Sequence, residues 1–96
     1  MYKVIFTPQA ADQYASIIER FSDAKKSLQQ FESEIESVIR RLESMPESYP
    51  PKGQLRAARL PKSGYYLFFH IAEKEMLVTA IMLISQKASP QNWPDQ

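Results

Sequence analysis

The sequence predicts one α+β domain of order β-α-α-β-β-β, with a helical hairpin packed on one face of a mostly antiparallel, curved sheet. Three observations carry this. Apolar residues recur every three or four positions through two consecutive segments; the short break Ser22-Asp23 joins those segments; and strand-like runs follow a proline-rich connector. The 96 residues suffice for a single hydrophobic core, and no linker, repeat or low-complexity tract divides residues 1–96.

The first element is a short strand, because Tyr2, Val4 and Phe6 alternate with Lys3, Ile5 and Thr7 in a run of β-formers. Thr7-Pro8 opens a helix. The threonine caps it, and the proline sits at the first helical position, where its missing N–H costs nothing. Ala11, Tyr14, Ile17, Ile18 and Phe21 then follow at helical spacing, so this helix is expected to run to about Phe21.

The second helix has the strongest periodicity: Ala24, Leu28, Phe31, Ile35, Val38, Ile39 and Leu42 form one stripe with charges between them, ending near Met45 before Pro46. The tight break at Ser22-Asp23 folds the two helices back as an antiparallel hairpin. A narrow stripe of this length also fits an intermolecular coiled coil, and that alternative is open at this level.

Glu47 to Gly53 reads as a connector, since paired prolines neither continue a helix nor enter a central strand. Leu55–Leu60 is a short strand carrying Arg56 and Arg59. Pro61-Lys62-Ser63-Gly64 has turn chemistry, Tyr65–Ile71 is an aromatic strand, and Ala72-Glu73-Lys74-Glu75 is a hairpin loop. Met76–Ile84 is apolar at nearly every position, as a central strand covered on both faces would be. Residues 86–96, with Pro90 and Pro94, are expected as an irregular tail.

Composition excludes several classes of function. Hydrophobic residues at 44% and two glycines describe an ordinary packed protein, not a disordered one. Without cysteine there is neither a disulfide framework nor a thiolate metal site, which fits a reducing compartment and a cytoplasmic location. No signal-peptide core or membrane-spanning run is present, so no membrane partner is expected. With one histidine, and with Gly53 and Gly64 as the only glycines, neither a metal site nor a phosphate-cradling loop is expected, and no cofactor is implied. Residues 1–48 carry six Lys/Arg against eight Asp/Glu, and residues 49–96 six against three, so the C-terminal half is +3. That offset suits an acidic partner but is well below the charge of a committed nucleic-acid binder.

Certain residues stand out against this background. His70 shares a strand face with Tyr66 and Phe68, opposite Tyr65, Leu67 and Phe69. Beside stacking aromatics and Arg56 or Arg59 it reads as the catalytic histidine of a ribonuclease site; otherwise it reads as a sheet-surface histidine packed beside two rings. Tyr65, Tyr66, Phe68, Phe69 and nearby Tyr49 suit either base stacking or the core. Arg56, Arg59, Lys62 and Lys87 form either a phosphate-facing patch or a solvated surface. Trp93, close to two prolines, either docks on its own domain or meets a partner.

Taken in order, Arg59-Leu60, Gly64-Tyr65-Tyr66-Leu67-Phe68-Phe69-His70-Ile71, an acidic loop, an apolar strand and Pro90-Gln91-Asn92-Trp93 resemble the C-terminal half of RelE/ParE toxins. The N-terminal strand, the helix opening at Thr7-Pro8 and the helical hairpin match the same family's element order, so the resemblance spans the chain. It implies the toxin half of a type II toxin–antitoxin pair, neutralised by a cognate antitoxin, as a homodimer or as a toxin–antitoxin hetero-oligomer. In the RNA-cleaving members an arginine of the third strand holds the scissile phosphate; here Tyr66 stands at that place. The basic cluster ending the last strand is reduced to Ser85-Gln86-Lys87-Ala88. These departures favour a ParE-like toxin that binds DNA gyrase so that cleaved DNA accumulates, and that performs no reaction itself.

The resemblance thus implies a target surface of Arg56, Arg59, Tyr66, His70, Lys87 and Trp93. It also implies antitoxin contacts at the helix borders, on Tyr14, Ile18 and Phe21. Two alternatives accompany this reading. One is a ribosome-dependent messenger RNA endonuclease acting through His70, Tyr66, Arg56, Arg59 and Lys87. The other is a degenerate toxin that keeps the fold and antitoxin binding without toxicity.

Overall fold

The computed structural model describes residues 1–87. Pro90, Trp93 and Pro94, and with them most of the expected tail, lie outside the described residues. Strand β1 (Lys3–Phe6) leads into helices α1 (Pro8–Arg20) and α2 (Lys25–Ser44). A 3-10 turn at Pro46–Ser48 precedes β2 (Pro51–Lys52), β3 (Leu55–Leu60), β4 (Tyr65–Ala72) and β5 (Leu77–Ser85). The five strands form one sheet in the order β1-β5-β4-β3-β2; β1 runs parallel to β5 and every other pair is antiparallel.

Both helices cover one face of this sheet. Phe31, Ile35, Val38 and Leu42 of α2 and Ile17 of α1 are buried in a cluster with Ala58, Leu60, Tyr65, Leu67, Phe69, Val78, Ala80 and Leu83. The stripe on α2 is therefore spent within the chain, which removes the intermolecular coiled coil as its explanation. Phe31 is the hub of the packing, with ring centroids 5.7 Å from Tyr14, 6.0 Å from Phe21 and 5.9 Å from Tyr65. Among the described residues no helix is long and apolar enough to cross a membrane.

Two expectations are corrected. The connector contains a fifth strand: Pro51 and Lys52 pair with Arg56 and Leu55. Proline is kept out of sheets where its missing N–H would have to enter a ladder, and β2 is an edge strand. The last strand begins at Leu77, because Met76 takes a left-handed conformation with φ 52° and closes the turn through Met76 N to Glu73 O at 3.1 Å.

The sheet's irregularities are covered by side chains of α1. Strand β1 ends at Phe6 while β5 continues to Ser85, so part of β5 lacks a strand neighbour on that side. The register slips there: Phe68 pairs with Met82 and Phe69 with Ala80, leaving Ile81 as a bulge. Thr7 Oγ1 donates to Ile81 O at 3.1 Å while accepting the helix-capping bond from Ala10 N, and Leu83 N donates to Gln13 Oε1 at 2.8 Å. One threonine thus starts α1 and satisfies the bulge. On the other flank Glu34 of α2 accepts from Lys62 N at 3.0 Å, Ser63 N at 2.9 Å and Ser63 Oγ, which fixes the β3–β4 turn to the helix.

Candidate functional site

Strand alternation divides β4 between two surfaces. Tyr65, Leu67 and Phe69 face the helices, which leaves Tyr66, Phe68, His70 and Ala72 on the outer face. Because cross-strand partners share a face, Ala57 and Arg59 of β3 and Thr79, Met82 and Ile84 of β5 lie on the outer side, with Ile5 of β1 beside Thr79. Phe68 and Ala57 are buried there, Tyr66 is half-buried, and Arg59, His70 and Ile5 are exposed. The rings of Tyr66 and Phe68 are 6.1 Å apart and tilted by 57°. The result is an apolar floor with a phenol and an imidazole at its surface, and with Arg59 at the sheet margin, where it also lines a cleft beside α2.

The structure brings some of the expected residues together and separates others. Tyr66 and Arg59 are direct cross-strand partners, and His70 is on their face. Arg56 is not with them: its register partner is Phe69, on the helix side, and its Nη1 donates to Tyr49 O at 2.7 Å and Glu47 O at 3.3 Å. Lys87 follows the end of β5 and borders a cleft of about 370 Å³ with Arg20, Phe21, Ser63, Gly64, Tyr65 and Ser85. In that cleft Arg20 Nη1 donates to the Tyr65 hydroxyl at 2.7 Å. Trp93 lies outside the described residues.

The helix-border residues are largely occupied. Tyr14 and Phe21 pack their rings on Phe31, Tyr14 also meets Phe6 edge-on at 6.3 Å, and Ile18 is half-buried against the same core. Burial, aided by the negative charge of Glu32, raises the Tyr14 phenol above its ordinary pKa. Tyr14 further walls an apolar cleft of about 280 Å³ with Phe6, Ala11, Ile35 and Ile39.

A third feature escaped the sequence reading. The Arg41 guanidinium lies 5.5 Å from the centroid of the Tyr49 ring, whose hydroxyl is raised in pKa by burial and drawn back by that same arginine. Together with Arg59 and Lys62 they bound a cleft of about 410 Å³ between α2 and the sheet margin. The only sequence signal was the exposed position of Arg41 on the helical wheel, which says nothing about a partner found in a connector.

Cutting RNA from its own 2′-hydroxyl needs a base, cations for the phosphorane charge and an acid for the leaving oxygen. The outer face offers His70, Tyr66 and Arg59 toward that set, with Arg56 committed elsewhere. Among the described residues no group of three or more His, Asp or Glu side chains is placed to hold a metal ion.

The protein-family profile described as ParE toxin of type II toxin-antitoxin system, parDE, matches residues 4–88. Among solved structures, the isolated E. coli RelE toxin is 18% identical with a TM-score of 0.66, over 95% of this chain and 90% of that one. A chain of the intact E. coli RelBE toxin–antitoxin complex is 16% identical with a TM-score of 0.64, over 92% of this chain and 100% of that one. At such identities the likeness is one of fold. Comparison with curated proteins returned no match.

Proposed function

We propose that the chain, which belongs to the ParE toxin family of type II toxin–antitoxin systems, inhibits DNA gyrase by binding it and is held inactive by a cognate antitoxin. The observation that carries this reading is the division of the two β3 arginines. With Arg56 tied to the Tyr49 carbonyl on the helix side, the outer face keeps an apolar floor with Arg59 at its margin. That composition suits a protein-binding surface, whose centre is apolar with an aromatic and an arginine as anchors, better than a phosphoryl-transfer site. Arg59, Tyr66 and His70 are the proposed contacts, with Lys87 at the end of β5.

The antitoxin is proposed to reach the opposite side, at the border formed by Tyr14, Ile18 and Phe21. Support comes from the apolar cleft beside Tyr14 and from the shared fold with a chain of the RelBE toxin–antitoxin complex. A supercoiling assay with purified gyrase tests the target. Inhibition with accumulation of cleaved DNA is expected, and supercoiling that proceeds untouched at high molar excess of the chain overturns the gyrase assignment.

The common face of His70, Tyr66 and Arg59 favours one second reading, a ribosome-dependent endonuclease. Mapping of messenger RNA ends on translating ribosomes separates the two: cuts that disappear in His70→Ala support the nuclease, and intact messenger in the presence of growth-arresting protein excludes it.

A further inference from the structure

Strand β1 stands at one end of the sheet, with β5 on one side of it. In a parallel ladder alternate residues of a strand turn both backbone groups toward the neighbour. Lys3 N donates to Met76 O and Thr7 N to Ala80 O, each at 2.9 Å, so Lys3, Ile5 and Thr7 turn theirs toward β5. Val4 and Phe6, out of step with them, turn their N–H and C=O groups to the open side. Among the described residues no strand pairs with β1 there.

The neighbourhood of this edge is apolar. Among the described residues the exposed large apolar side chains are Met1, Ile5, Met45 and Met76, and all of them lie in β1 or close to its first residues. Ile5 is in the strand and Met1 just ahead of it. Met76 O accepts from Lys3 N, and Met45 lies two residues beyond Glu43, whose carbonyl accepts from Tyr2 N at 2.8 Å. The strand itself reads Lys-Val-Ile-Phe, with its one charge at the first position.

We propose that β1 pairs antiparallel with β1 of a second copy of this chain about a two-fold axis at Ile5, joining the two sheets edge to edge. In that register Val4 of each copy faces Phe6 of the other. These are the residues with outward backbone groups, so each pair exchanges both N–H to carbonyl bonds. Val4 beside Phe6 is a β-branched and aromatic pair, a kind favoured across strands, and Ile5 meets its own copy on the outer face. Lys3 faces Thr7, so like charges do not meet. The edge thus matches itself in length, donors and side chains, whereas its uncharged centre offers a charged segment nothing to read. Pairing also covers an edge that is otherwise a template for aggregation, and it merges the outer faces of both copies into one surface. The inference rests on neither the gyrase nor the antitoxin reading.

The chain has no cysteine, so a single introduced cysteine forms a disulfide only with another copy. Ile5→Cys places the two thiols at the axis, with Cα atoms about 4.5 Å apart, a separation a disulfide spans; Lys3→Cys leaves them about 14 Å apart. Mild oxidation of the full chain is expected to cross-link Ile5→Cys while Lys3→Cys stays uncoupled. Sedimentation over a range of concentrations should show the parent chain passing from monomer to dimer. Ile5→Lys sets like charges opposite each other and should weaken association by at least about tenfold. Its melting temperature should stay near the parent's, since Ile5 is exposed. Gln54→Lys, which adds the same charge between β2 and β3 at the far edge of the sheet, should leave association unchanged. A parent chain that is monomeric throughout, an Ile5→Lys variant that associates as the parent does, or equal cross-linking of the two cysteine variants overturns the proposal. A chain that dimerises in this way yet leaves supercoiling untouched keeps this inference and loses the gyrase reading.

Discussion

Arg56 and Arg59 are the same side chain on the same strand, yet the structure gives them opposite work. Arg56 donates to the carbonyls of Tyr49 and Glu47 and so anchors the connector that delivers β2. Replacing it with alanine leaves the Tyr49 carbonyl without its donor and should cost about 1–3 kcal/mol in urea unfolding, as expected for a bond to a charged group. Arg59→Ala removes an exposed side chain and should stay within about 0.5 kcal/mol of the parent while reducing growth inhibition. A period-2 count already separates positions three apart, so this division was legible in the sequence; reading the strand simply as basic concealed it. The tyrosines give a second prediction at this scale. Tyr14 and Tyr49 have pKa values raised by burial, so near and above pH about 10 the folded state holds more protons than the unfolded one. Their contribution is fully present below that pH and is lost as pH rises through it. The melting temperature should therefore fall on the alkaline side, and the double variant Tyr14→Phe, Tyr49→Phe should flatten the fall.

Among the elements, the helices and the long strands were legible because each buries one face, and burial imposes its period on the residues. Of the α2 stripe, Phe31, Ile35, Val38 and Leu42 are buried, Leu28 and Ile39 are half-buried and Ala24 is exposed, and Thr7-Pro8 caps α1 as its residue types require. Strand β2 was not legible: two residues have no period, and its proline argued against a strand until the edge position was known. The Glu34 clamp was equally hidden, since its partners lie 28 and 29 residues away and no local pattern announces them. Glu34→Ala should free the β3–β4 turn and cost about 1–3 kcal/mol, by loss of several charge-assisted bonds. Amide exchange at Lys62 and Ser63 should quicken with it. If exchange at the turn is unchanged in this variant, the clamp does not order the turn.

At the scale of the whole molecule, the helical hairpin covers one face of a five-stranded sheet, and among the described residues no helix covers the other, which is the face proposed to bind the target. Apart from β2, the order of elements was readable because each strand and helix declares itself locally. The site was readable only in part, because the sequence grouped residues by chemistry and the sheet sorts them by side. Strand β4 shows this sorting at single-residue spacing, with Leu67 and Phe69 in the core and Tyr66 and His70 outside it. Growth arrest and thermal unfolding, measured together for alanine variants along β4, therefore test the assignment most directly. Phe69→Ala should cost about 3–5 kcal/mol of stability. Tyr66→Ala and His70→Ala should keep a melting temperature near that of the parent chain and abolish growth arrest. If both outer variants are folded and arrest growth as fully as the parent chain does, the outer face is not the working surface.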